Sequence, residues 1–233
     1  MEYSSLVPKS SAQLKRIAKE KLKGNWVSAI VVCVVVIILT NGINLSYTIS
    51  DTIKYGRSIR TGFNLGDLLQ LILGGPMALG MTSYFMNLIR DEDTRIEDTF
   101  SGFKNFASAF LVQLLAGIFV LLWTILLIIP GIIAALSYSM IYYILKDNPD
   151  LSAMDVIRES KKLMDGEKGR LFILGLSFIG WIIVGIITAG IGFLWIGPYI
   201  NAAMAAFYED LKERKLVNHE KCQPNDDIYI ENP

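Results

Sequence analysis

The sequence predicts an all-α fold, a polytopic membrane helix bundle of about six spans, and three observations carry that prediction. The chain is 52% hydrophobic and only 19% charged, too apolar for a surface that faces water throughout. Four stretches contain no Asp, Glu, Lys, Arg or His: Gly24–Ser50, Leu68–Ile89, Asn105–Leu145 and Leu171–Tyr208, of 27, 22, 41 and 38 residues. Breakers stand near the middle of the two long ones.

Residues 1–23 form a cytoplasmic basic segment. From Ala12 to Lys23, Leu14, Ile17, Ala18 and Leu22 recur at helical spacing, while Lys15, Arg16, Lys19, Lys21 and Lys23 occupy the remaining positions. Such a helix can lie in the headgroup layer with its basic residues toward anionic inner-leaflet lipids, each contributing about 1 kcal/mol. A solvated helix that only fixes topology is the alternative. Because this hydrophilic segment precedes the first apolar run and no small-x-small site closes that run, the first span reads as uncleaved rather than as a signal peptide.

The membrane domain covers residues 24–211. A hydrocarbon core of ~30 Å is crossed by roughly 20 helical residues, so the first two runs hold one span each. The two longer runs would make single helices of about 60 Å, so each divides into two spans. Pro130 with Gly131 divides the first, and Gly190, Gly192, Gly197 and Pro198 divide the second. Of 22 Lys and Arg, only Lys54, Arg57 and Arg60 fall in the loop expected over Asn44–Gly66. The others precede, separate or follow the spans on the opposite side, which puts both termini in the cytoplasm of a bacterial plasma membrane. Residues 212–233 are polar and include Pro224 and Pro233, so a disordered cytoplasmic tail is expected.

A unit recurs three times: an amphipathic segment, an aromatic at the membrane entry, a span, a Pro or Gly break, and a span that exits into charge. The breaks are Pro76, Pro130 and Pro198. The positions four and seven residues after each proline are small: Gly80 and Ser83, Ala134 and Ser137, Ala202 and Ala205. Small residues on one face let helices approach closely in lipid, so the three second helices are expected to pack together there. Two further amphipathic segments repeat the first: Ile96, Phe100, Phe103 and Phe106, then Leu151, Met154 and Ile157 opposite Arg158, Lys161 and Lys162, with Ser152 and Asp155 as a capping pair.

No catalytic constellation is legible. The four runs hold no ionisable acid, base or cation at depth, where such groups are functional by default. One His, His219, and two separated cysteines, Cys33 and Cys222, rule out a metal site or a disulfide between spans. No cofactor is expected. A net charge of zero gives no reason to expect nucleic acid. The densest neutral polar group is Tyr138, Ser139 and Tyr142, with Asn201 on the last span, which could line a polar cavity.

Leu22-Lys23-Gly24-Asn25-Trp26, Ile129-Pro130-Gly131-Ile132, Ser137-Tyr138-Ser139 and Gly197-Pro198-Tyr199 together resemble a bacterial, mainly Firmicutes, family of integral membrane proteins catalogued as a domain of unknown function. The likeness covers about Ser10 to Leu211 and implies a small plasma-membrane protein, with no activity or site residue to carry over. The expected function is non-enzymatic: an accessory, assembly or immunity-type factor acting through helix packing and through lipid or protein contacts at the cytoplasmic face. A channel or carrier for a neutral or amphipathic solute is the alternative.

Overall fold

The computed structural model describes residues 7–55, 65–188 and 190–222, and every regular element among them is helical. Helix α1 (Ser11–Leu22) starts at a capping box: the Gln13 N–H donates to Ser10 Oγ and the Ser10 N–H donates to Gln13 Oε1, at 3.3 and 2.7 Å. Gly24, with φ +93°, supplies the left-handed residue that turns the chain by 100° into α2 (Trp26–Tyr55). The loop expected from Asn44 is therefore helical as far as Tyr55. No proline lies in that stretch to end the helix. Arg57 and Arg60 lie outside the described residues.

After α3 (Leu65–Ile89) comes a 3-10 segment, Ile96–Asn105, then α4 (Phe106–Leu126), α5 (Ile128–Ser137) and α6 (Ile141–Asp147). The chain ends with α7 (Ala153–Leu163), α8 (Lys168–Leu176), α9 (Ile179–Ile187) and α10 (Phe193–Cys222). None of the three prolines is itself the break. Pro76 and Pro198 sit inside α3 and α10, and Pro130 occupies the first turn of α5, where its missing N–H costs nothing. The breaks are Leu127, whose extended backbone separates α4 from α5, and the turn ending at Gly192, where Gly190 has φ +91°. The tail expected from residue 212 also differs: α10 continues to Cys222, and Lys212 and Arg214 on it pair with the partly buried Asp147 and Glu167.

Four segments are long and apolar enough to cross a membrane: Leu65–Ile89, Ile96–Leu126, Ile128–Asp147 and Lys168–Ile187. The bent pair of α1 and α2 makes a fifth. The first half of α10 is not among them, since Tyr199, Asn201 and the immediately following Glu209 and Asp210 dilute its hydropathy. Burial separates centre from periphery. Half of the Leu65–Ile89 window is buried in protein, against 17% for Ile96–Leu126 and 22% for Lys168–Ile187. The last two are apolar on nearly every face yet uncovered, as helices bathed in lipid are.

The interfacial segments each settle on a spanning helix from elsewhere in the chain. Leu14, Ala18 and Leu22 bury the apolar stripe of α1, which packs on α10, α3 and α8, so that face meets protein rather than headgroups. The 3-10 segment lies on α3, and α7 lies against α4 and α6. The expected face is overturned in the 3-10 segment and kept in part in α7, where Ile157 is buried and Leu151 packs against the core. In the 3-10 segment Thr99 and Gly102 face α3, while Ile96, Phe100, Phe103 and Phe106 point outward. With three residues per turn, positions i and i+3 align, and the small pair makes the closer contact. In α7, Val156, Ile157 and Ser160 are buried and Met154 is exposed. The expected capping pair is present: Ser152 Oγ accepts from the Asp155 N–H at 3.2 Å.

The approach of the 3-10 segment to α3 leaves no room for side chains. A Cβ at Gly80 would overlap the Thr99 carbonyl, and one at Gly102 would overlap the Pro76 carbonyl. Because both obstacles are backbone, Gly80→Ala or Gly102→Ala is expected to lower stability by about 1–3 kcal/mol. Gly117→Ala, with open space around it, is the control and leaves the detergent-solubilised melting temperature unchanged or slightly raised.

Candidate functional site

Chemistry-bearing side chains collect at one end of the bundle, where α3 and α6 finish, α8 begins and the middle of α10 passes. The hub is Arg90, one residue past α3. Its two terminal nitrogens grip Asp147 at the end of α6 at 2.8 and 2.9 Å, while its Nε donates to Glu209 of α10 at 2.8 Å. Asp147 also accepts from the Tyr208 hydroxyl at 3.0 Å and from Lys212 Nζ at 2.6 Å. One guanidinium fork thus ties three helices. Burial works against the Arg90 charge, but hydrogen bonds to Asp147 and Glu209 outweigh it and push its pKa up.

The opposite face of α10 carries a second network. Asp210, only 2% exposed, accepts from Arg170 of α8 at 2.7 Å and from the Lys9 N–H at 3.3 Å. Glu167 receives Arg170 at 2.6 Å and Arg214 at 2.9 Å. Lys9 Nζ reaches Glu213 at 2.9 Å. The Arg170 guanidinium lies over the Phe207 ring, 5.2 Å from its centre. Phe207, Asp210 and Arg214 fall at i, i+3 and i+7, whereas Tyr208, Glu209 and Lys212 make the other stripe. A single helix therefore serves both networks.

A cavity of about 620 Å³ opens beside the first network, lined by Ile144, Asp147, Asn148, Leu151, Asp155, Glu159, Leu163, Tyr208 and Lys212. Its carboxylates are already matched: Asp155 with Arg158 and Glu159 with Lys162, each at 2.7 Å. Among the described residues no three His, Cys, Asp or Glu side chains converge as a metal set. Both matched pairs lie along α7 itself.

The residues singled out in the sequence are distributed differently. Pro76, Gly80, Ser83, Gly131, Ala134, Ser137, Pro198, Ala202 and Ala205 are all buried, and Pro130 is half-buried. Two of the small faces receive an interfacial segment rather than one another: Gly80 meets Thr99, and the Ser137 carbonyl accepts from Ser160 of α7 at 2.8 Å. The four polar-cavity residues do not converge. Tyr138 packs on Phe119 at 6.2 Å, Ser139 donates to the Leu136 carbonyl, and Asn201 donates to Gly197 in its own helix. Tyr142 is half-buried elsewhere. Of the basic residues on α1, Lys15 sits over Phe178 and donates to the Ser177 carbonyl, and Lys21 pairs with Asp91. Arg16, Lys19 and Lys23 are exposed, Arg16 loosely paired with Glu20 at 3.7 Å.

Sequence reading missed the networks. A signal was present: Arg90, Lys146 with Asp147, and Glu209 with Asp210 are the first charges after three of the apolar runs, so helices that pack together must bring them together.

The model for a family described as a protein of unknown function, DUF975, matches residues 1–134 and 124–215, nearly the whole chain. The chain belongs to this family. No curated protein and no solved structure matches. Both networks of this DUF975 protein lie inside the matched residues, which end at 215.

Two predictions follow from the pairing. Arg90→Met strands Asp147 and Glu209 and is expected to cost about 2–4 kcal/mol, less than a fully buried pair because the guanidinium is about a fifth exposed. The triple change Arg90→Met, Asp147→Asn, Glu209→Gln recovers part of that in thermal melts. The second concerns Glu167. Burial alone would push its carboxyl up, but hydrogen bonds from Arg214 and Arg170 hold it below its ordinary value of 4.5. A depressed carboxylate stabilises fully above the ordinary value and loses that contribution as pH falls through the folded one. Melting temperature is therefore expected to fall as pH drops below about 4.5, with a shallower acid slope in Glu167→Gln.

Proposed function

We propose that this protein is a six-span, non-enzymatic protein of the bacterial plasma membrane, with both termini in the cytoplasm. It acts as an accessory, assembly or immunity-type factor through its charged face, which engages anionic lipids of the inner leaflet and, through them, a membrane or cytoplasmic protein. It turns over no substrate and uses no cofactor. The sixth span is the first half of α10, followed at once by the charges of Glu209–Arg214.

The observation that carries this reading is the division of labour on α1. Its apolar stripe is fully engaged by α10, α3 and α8, so the exposed Arg16, Lys19 and Lys23 are not needed to hold it in place. The Lys21 to Asp91 pair brings the end of α1 close to the start of the 3-10 segment. From that segment Phe100, Phe103, Phe106 and Phe110 form a stacked ladder, 6.2–6.4 Å between centres, that runs into α4. Exposed cations beside exposed aromatics match the two layers of a membrane interface.

We read the chain as three blocks, each an interfacial segment followed by a hairpin of two spans: α1 with α2 and α3, the 3-10 segment with α4 and α5–α6, α7 with α8–α9 and α10. The packing that supports this is cyclic. The 3-10 segment lies on α3, α7 on α6 as well as α4, and α1 mainly on α10, so each block's first segment touches the second helix of the preceding block.

The test is lipid selectivity of the full chain in vesicles, measured with spin-labelled phosphatidylglycerol and phosphatidylcholine. At about 1 kcal/mol per basic residue, Arg16→Gln, Lys19→Gln and Lys23→Gln together reduce the preference for the anionic lipid by up to ~100-fold at low salt. High salt does the same to the wild type. Equal selectivity in the wild type and the triple variant refutes the proposal.

A further inference from the structure

The chain contains a second place where charge and apolar surface meet, away from the exposed face of α1. A cavity of about 180 Å³ between α4, α5, α7 and α8 is lined by Trp123, Ser137, Tyr138, Lys161 and Lys168 among others. A groove of about 460 Å³ adjoins it, lined by Leu136, Ser139, Leu171, Phe172, Gly175 and Ile200 among others. The two meet across the turn after α5: Ser137 and Tyr138 line the first, Leu136 and Ser139 the second. On α8, Lys168 lines the first, and Leu171, Phe172 and Gly175, at i+3, i+4 and i+7, line the second.

The first compartment is lined by Pro130, Ile133 and Ala134 as well, but it holds two cations that the second lacks. Among the described residues Lys161 and Lys168 form no ion pair, whereas their neighbours Arg158, Lys162 and Arg170 are each matched to a carboxylate at 2.7 Å or closer. The Tyr138 hydroxyl likewise makes no hydrogen bond there, so two cations and a donor face one small space. In the groove the only polar side chain is Ser139, and its hydroxyl already donates to the Leu136 carbonyl at 2.8 Å. From Lys168 to Ile179 the chain covers about 16 Å of helix rise, roughly one leaflet of a ~30 Å hydrocarbon core. A free anion would fill the first compartment only, and a neutral apolar molecule the second only.

We infer that the cavity and groove together bind one anionic glycerophospholipid, its phosphate between Lys161, Lys168 and Tyr138 and one acyl chain along α8 against α5 and α10. This goes beyond the loose, salt-sensitive lipid preference of α1, since a phosphate held by two ammoniums with its chain sequestered is retained through purification.

Native mass spectrometry of the full chain in mild detergent, titrated with phosphatidylglycerol and separately with phosphatidylcholine, tests it. Two variants remove the two halves. Lys161→Gln with Lys168→Gln removes the charges without stranding a carboxylate, and Gly175→Leu fills the groove at a position whose Cβ would meet nothing within 4 Å. Each is expected to weaken retention of one phosphatidylglycerol by about tenfold or more at an unchanged melting temperature. Arg16→Gln, Lys19→Gln and Lys23→Gln leave that single lipid bound, which separates failure of this site from failure of the α1 proposal. The inference is overturned if either site variant keeps wild-type retention, if phosphatidylcholine is retained as well as phosphatidylglycerol, or if inorganic phosphate alone displaces the lipid.

Discussion

The interaction on which the rest of the fold depends is the fork of Arg90 between Asp147 and Glu209. In lipid, helices gain nothing by hiding apolar surface from one another, so something other than the hydrophobic effect must fix which helices meet and at what height. Arg90 does this for α3, α6 and α10 at once, with 2.8–2.9 Å contacts to two carboxylates. A charge only about a fifth exposed gains most from being paired, so the same contact both requires and specifies the convergence. Asp210, Arg170, Glu167 and Arg214 repeat the device on the other face of α10, adding α8 and the strand of chain before α1.

Given that convergence, the packed interior lies near the charged end. Leu14, Leu22, Tyr84, Phe85, Leu145, Phe207 and Leu211 are among its most deeply buried side chains, all on α1, on the last turns of α3 and α6, or on the middle of α10. The opposite ends are open. Ile125 to Ile129 and Ile186, Ile187 expose most of their surface. Such surface is at home only in hydrocarbon or against another apolar molecule. Protein packing closes one end of the bundle, and the bilayer completes the other.

Much of this was legible in residue order. Charge-free runs located the membrane segments, Leu14, Ala18 and Leu22 marked the buried stripe of α1, and Ser152 with Asp155 marked the start of α7. What misled was treating proline as the break. Pro130 fits the first turn of α5 and Pro198 lies inside α10, because a spanning helix with neighbours tolerates one missing N–H. The outward face of the 3-10 segment was equally hidden, since the phenylalanine spacing reads as a core stripe in water and as a lipid-facing stripe in a membrane. Of the site, the charges were visible as residues but not as pairs. Pairing joins positions such as Arg90 and Glu209 that are 119 apart, and only the packing of the intervening helices brings them together.

Residue accessibility across the membrane tests the three-block arrangement most directly. In a background with Cys33 and Cys222 replaced by serine, single cysteines at the exposed positions Lys19, Lys104, Asp150, Leu127 and Ile191 are challenged with a membrane-impermeant maleimide. Lys19 lies in α1, Lys104 in the 3-10 segment and Asp150 just before α7, whereas Leu127 separates α4 from α5 and Ile191 lies between α9 and α10. The expected result is labelling of Leu127→Cys and Ile191→Cys in intact cells, and of the other three only after permeabilisation. Labelling of Lys19→Cys, Lys104→Cys or Asp150→Cys in intact cells contradicts the proposed common orientation of the three blocks.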